Sequence, residues 1–119
     1  MNIKLFDSEL KIMEILWKEG DTTAKRIAQI AAEQTGWSKT TTYTVIKKCL
    51  DKNAIERKGT DFLCCPLITK EQAQEYETKE LIKKMYDGAA DRLIASVLDQ
   101  KKLTKEEIER LKMIISKLE

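Results

Sequence analysis

The feature that most constrains this chain is a single break in an otherwise helical pattern. Residues 54 to 68, "AIERKGTDFLCCPLI", hold two short strand-like runs, Ile55 to Lys58 and Phe62 to Pro66, around "KGTD". Gly59 suits a tight reversal, so the stretch predicts a β-hairpin, and Pro66 marks an edge strand or a strand end. One proline and four glycines in 119 residues leave few other places to turn, so helices must fill the remainder.

Three helices are predicted before the hairpin. Asp7 or Ser8 can cap the first, which runs to about Lys18 with Leu10, Met13, Leu16 and Trp17 on its inner stripe. Gly20 ends it. Thr22 or Thr23 caps the second, "TAKRIAQIAAEQ", where Ile27, Ala28 and Ala31 recur at helical spacing. Gly36 punctuates, and Ser38 caps the third, within "GWSKTTTYTVIKKCLDKN". After the hairpin, Thr69 with Gln72 and Thr104 with Glu107 form capping boxes that open two further helices, with a shorter one over Ala89 to Asp99 between them.

The fold class is therefore mainly α with a small β-hairpin wing. A winged helix-turn-helix domain over residues 1–68 precedes a helical dimerisation domain over 69–119. In that layout the third helix commonly lies in the DNA major groove, although winged helices also serve as protein-binding modules.

The third helix carries four threonines, mediocre helix formers that supply little core packing. On a helical projection Val45, Ile46, Cys49 and Leu50 gather on one side with Thr42. Thr40, Tyr43, Thr44 and Lys47 gather on the other, and each of these can hydrogen-bond. Threonine can reach a phosphate, a base edge or a thymine methyl, and lysine attracts phosphate. No Arg or Asn on this stripe offers bidentate base readout.

The whole chain has a formal net charge of only +2, yet residues 37 to 58 hold six basic side chains (Lys39, Lys47, Lys48, Lys52, Arg57, Lys58) against two acidic (Asp51, Glu56). Arg57 and Lys58 are expected at the hairpin tip, within reach of a flanking phosphate. Lys25 and Arg26, at the start of the second helix, are expected to touch the backbone from the other side. The expected DNA-binding set is thus Lys25, Arg26, Ser38, Lys39, Thr40, Thr41, Tyr43, Thr44, Lys47, Lys48, Arg57 and Lys58.

From residue 69 onward basic and acidic side chains balance at eleven each, and the apolar positions are what inform. Leu81, Met85, Leu93, Ile94, Val97, Leu98, Ile108, Leu111, Ile115 and Leu118 exceed what three thin helices bury alone. Either a two-fold homodimer covers them or they fold back on the winged domain.

Several function classes recede. The chain has no histidine, which removes the usual general base and the commonest metal ligand. Cys49, Cys64 and Cys65 lack framework spacing and fit reduced thiols; in a strand, one of the adjacent pair is expected buried and the other exposed. No catalytic base accompanies them, no metal site is expected, and no cofactor is implied. No membrane span or signal peptide is evident, so a cytoplasmic location is expected.

Three segments resemble the penicillinase-repressor family, which includes the BlaI and MecI types and copper-responsive repressors of the CopY type. They are "LFDSELKIMEILWKEGDTTAKRIAQ", "WSKTTTYTVIKKCLDKNAIERK" and "MYDGAADRLIASVLDQKKLTKEEIERLKMII", and the resemblance runs from about Phe6 to Leu118. It implies a dimeric winged-helix repressor that occupies palindromic double-stranded operator DNA ahead of antibiotic-resistance or metal-export genes. It places the DNA-contacting helix on Ser38 to Lys48. The β-lactam-responsive members are cut by a sensor-triggered protease at an Asn-Phe pair. The resemblance thus implies a sensor protease as a partner, but here Ser96-Val97 stands at the place of the cleaved pair, a departure that speaks against it. No cysteine follows Cys65, so the copper motif is absent as well.

Overall fold

A computed structural model of the chain describes residues 3–99 and 103–117. The elements run α1 (Asp7–Glu19), β1 (Thr22–Thr23), α2 (Ala24–Thr35), α3 (Lys39–Asp51), β2 (Ile55–Lys58), β3 (Leu63–Pro66), α4 (Lys70–Met85), α5 (Ala90–Asp99) and α6 (Lys105–Ser116). The chain divides into two compact units, Met1–Thr78 and Lys79–Glu119, with the division inside α4.

In the first unit, local chemistry sets the helix ends. Thr23 Oγ1 accepts from the Arg26 N–H at 3.1 Å and Ser38 Oγ from the Thr41 N–H at 3.1 Å, each satisfying a first-turn donor. Gly36 closes α2 in the left-handed region, where a side chain would be strained. The start of α1 differs from the expected Asp7 or Ser8 cap. Phe6 occupies the capping position, and Glu9 folds back so that its carboxylate accepts the Phe6 N–H at 2.8 Å. That carboxylate is also drawn inward by Lys52, whose Nζ lies 2.5 Å from it, so Glu9 makes its half of a capping box, to the N–H of the capping residue, from inside the fold.

Seating Glu9 on the buried face turns α1. Its inner stripe is Glu9, Ile12, Met13, Ile15 and Leu16, while Leu10, expected inside, is exposed and Trp17 only half-buried at the flank. The Trp17 indole N–H donates to the Ile68 carbonyl at 2.9 Å and ties α1 to the segment leaving the wing.

The core joins Ile12, Met13 and Leu16 of α1 to Ile27 and Ala31 of α2, Val45, Ile46 and Cys49 of α3, and Ile55 and Cys64 of the sheet. The sheet has three antiparallel strands in the order β1-β3-β2, with Thr22 opposite Cys64 and Glu56 opposite Cys65. Strand β1 was not expected, because two residues are too few for a periodic signal. Its pairing makes β3 the central strand, so Pro66 marks a strand end and not an edge. Cys65 is buried along with Cys64, against the expected alternation.

In the second unit, Tyr86 Oη donates to Ser96 Oγ at 3.3 Å, and the Thr104–Glu107 capping box forms as read, with contacts of 2.9 and 3.1 Å. Thr69 and Gln72 likewise cap α4. None of the described residues of α4, α5 or α6 is buried. No helix among the described residues is long and apolar enough to cross a membrane.

Candidate nucleic-acid interface

Helix α3 presents two unlike faces. Thr42, Val45, Ile46 and Cys49 are buried, while Thr40, Thr44, Lys47 and Lys48 are exposed and Tyr43 is half-buried. The threonines fit the helix because their hydroxyls are tied locally. Thr42 Oγ1 donates to the Ser38 carbonyl and Thr44 Oγ1 to the Thr40 carbonyl, both at 3.0 Å, and Ser38 Oγ donates to Thr41 Oγ1 at 3.0 Å. The exposed hydroxyls of Ser38, Thr41 and Thr44 keep acceptor capacity toward solvent, whereas that of Thr42 is buried.

Lys39, Thr40, Tyr43, Thr44 and Lys47 line one open concavity of about 410 Å³. The predicted outer stripe is thus one continuous surface. At its edge the Lys39 ammonium lies 5.7 Å from the centre of the Tyr43 ring. Tyr43 meets Phe62, in the turn between β2 and β3, edge to face at 5.9 Å and 86°. Phe62 in turn carries the Arg57 guanidinium 4.0 Å above its ring.

Arg57 and Lys58 close strand β2, one step before the turn and not at its tip. Lys58 lies 3.8 Å from Glu56. Lys25 and Arg26 are exposed at the start of α2, but Arg26 turns toward Glu19 at 3.9 Å and Gln29 at 3.5 Å and not toward α3. Lys52, counted with the basic cluster, is withdrawn from it. Its Nζ pairs with buried Glu9, donates to the Lys4 carbonyl at 2.8 Å and sits 4.1 Å from the Phe6 ring centre. It clamps the end of α3 to the start of α1. The residues that sequence reasoning missed are therefore Phe62 and, as a clamp, the Glu9–Lys52 pair; an aromatic side chain between a glycine turn and an apolar strand was the one available signal.

The thiols offer no competing chemistry. Burial, reinforced by the Glu9 carboxylate, pushes Cys49 up to about 12 from the usual 9.0, and burial with neighbouring Cys65 takes Cys64 to about 11. Burial first and a hydrogen bond to Asp21 second raise Cys65 as well. All stay protonated at neutral pH, so none is poised as a nucleophile. Among the described residues no cluster of acidic or sulfur side chains could hold a metal ion.

The penicillinase repressor profile matches residues 5–117, nearly the whole chain. The chain belongs to the penicillinase repressor family. This is a family of transcriptional repressors and not of enzymes. The methicillin resistance regulatory protein MecI of Mammaliicoccus sciuri is 27% identical over 116 residues, covering 96% of this chain and 94% of the relative. MecI of Staphylococcus aureus strain N315 matches to the same extent.

Among solved structures, the DNA-binding domain of the repressor BlaI superposes with a TM-score of 0.53 at 22% identity, covering 60% of this chain and 90% of that one. Monomeric Bacillus licheniformis BlaI in complex with the blaP half-operator gives 0.52 at 22% identity and the same coverage. A MarR family protein from Bacillus stearothermophilus gives 0.50 at 19% identity, covering 98% of this chain and 74% of that one. These likenesses establish the winged-helix fold of this penicillinase repressor family member.

Proposed function

We propose that this family member is a cytoplasmic homodimeric repressor that occupies a palindromic operator, with the winged domain of residues 1–68 on DNA and residues 69–119 joining the two copies. The regulated genes belong to antibiotic resistance or stress response. The observation that carries the reading is the outer face of α3, where Lys39, Thr40, Tyr43, Thr44 and Lys47 form one hydrogen-bonding concavity beside a basic wing. Ser38, Thr41 and Lys48 are further phosphate donors on and beside α3, while Lys25 and Arg26, at the start of α2, meet the DNA backbone from another side. That a BlaI relative has been solved with a half-operator supports a DNA ligand.

The dimer reading rests on exposure in the second unit. Leu81, Met85, Ile94, Val97, Leu98, Ile108, Leu111 and Ile115 are exposed and Leu93 half-buried; Leu118 lies outside the described residues. Apolar area on this scale is seldom left bare in a monomer.

The test is fluorescence-anisotropy binding to duplexes from upstream of the protein's own gene and its neighbours, beside scrambled duplex, at low and near-physiological salt. One fragment is expected to bind tightly at the higher salt, with affinity falling by about 0.9 log units per log unit of salt for each phosphate contact. Tyr43→Ala combined with Lys47→Ala is expected to abolish that preference and leave the dimer intact. Equal, salt-fragile binding to every duplex would overturn the reading.

A further inference from the structure

Phe62 stands in the turn between β2 and β3 with φ at 52°, a left-handed conformation that costs an L side chain and suits glycine or asparagine. The turn needs no aromatic side chain there. Yet this residue ties three parts of the winged unit together. Its carbonyl accepts the N–H of Ala24, the first residue of α2, at 3.0 Å. Its ring meets that of Tyr43 from α3 in a T-shaped contact and carries Arg57 of the wing.

Resting on the proposed DNA-binding face of α3, we infer that Phe62 is the positioning residue of that face, and that Arg57 is the wing cation that meets the phosphate backbone. A guanidinium stacked on an aromatic ring keeps the N–H donors along its edge free, in the planar fork that matches phosphate. Lys58, the neighbouring cation, lies beside Glu56 and is partly neutralised, so the wing's usable charge falls to Arg57. The T-shaped contact with Tyr43 fixes the distance from this cation to the stripe on α3. Recognition helix and wing thereby meet one duplex as a single preformed surface, and the cost of ordering a long arginine is met before DNA arrives. Strain at Phe62 is the local cost of that arrangement, and strained residues of this kind concentrate at functional sites.

The experiment uses the full chain. Wild type first enriches a preferred duplex from a random-sequence library, and anisotropy then compares that duplex with a random one. The variants are Phe62→Leu, Arg57→Ala, their combination, Phe62→Gly, and Lys47→Ala as a control on α3 alone. Phe62→Leu and Arg57→Ala are each expected to weaken the preferred duplex about tenfold, and the combination to be no weaker than either, because both remove the same contact. Arg57→Ala also lowers the salt slope by about 0.9. Phe62→Gly removes the ring's packing against the core but relieves the left-handed backbone, so the strain relief offsets part of its loss in melting temperature while affinity falls as in Phe62→Leu. A purely structural Phe62 would not separate those two readouts. If Phe62→Leu binds like wild type, or its loss multiplies with that of Arg57→Ala, while Lys47→Ala still weakens binding, the inference falls and the α3 reading stands. If wild type enriches no duplex at all, both fall.

Discussion

The two units of this penicillinase repressor family member use the same kind of sequence pattern and reach opposite outcomes. In the winged unit the apolar stripes of α1, α2 and α3 converge on the sheet, and Ile12, Met13, Leu16, Ile27 and Ile46 have no exposed surface. In the second unit α5 is at least as amphipathic in sequence, yet Ile94 is 57% and Leu98 50% exposed, and on α6 Ile115 is 58% exposed. The difference lies in layers. Three helices and a sheet enclose a volume, whereas short helices with one apolar stripe each need another surface to close against. Periodicity tells which side chains want burial, and only the count of available layers tells whether the chain can provide it alone.

The strongest way to break this comparison is to charge the uncovered face. For the proposed homodimer, Ile94→Glu with Leu98→Glu is expected to give a monomer in sedimentation equilibrium. Operator affinity should fall about 100-fold or more, because two linked half-site contacts become independent ones. The winged unit should keep its own unfolding transition. A doubly charged variant that still sediments as a dimer would place the interface elsewhere.

A smaller effect sharpens the same contrast. Leu16→Ala leaves a cavity in a closed core and is expected to cost about 2–5 kcal/mol in urea unfolding, independent of protein concentration. Ile115→Ala, in an exposed stripe, is expected to act through association, so its cost should grow as the protein is diluted. Equal, concentration-independent losses would mean that the second unit closes its own core.

Much of the winged unit, and the helix caps beyond it, was legible because the signals are local. Ser38, Thr23, Thr69 and Thr104 cap as read, since a hydroxyl meets an N–H three residues on whatever the tertiary fold. The outer stripe of α3 follows from 3.6 residues per turn alone. What was not legible depends on partners remote in sequence. Strand β1 exists because Thr22 finds Cys64, and that pairing also makes β3 central and buries both faces at Cys64 and Cys65. Lys52 reads as a surface cation until Glu9, 43 residues away, is seen buried against it. Leu10 reads as core until the same carboxylate takes the inner face of α1. Phe62 reads as a strand residue, and its role depends on a left-handed backbone and two neighbours from different elements.

The subtlest expectation uses the cysteines, all three of which lie buried in the winged unit. Their proton affinities are raised in the fold, Cys49 to about 12 and Cys64 to about 11, because burial disfavours the thiolate. The unfolded chain begins to release these protons near pH 9, while the folded chain holds them. The associated stability is therefore complete below pH 9 and is lost as pH rises from there through 11 and 12. Urea midpoints measured from pH 8 to pH 11 should be flat at first and then fall, with a shallower fall in a Cys49→Ala, Cys64→Ala variant. At pH 8 iodoacetamide should leave the native thiols unmodified, and the Ile94→Glu, Leu98→Glu monomer should be protected equally. Rapid labelling of that monomer would mean that the winged unit needs the second one to stay closed, and the independence of the two units would be lost.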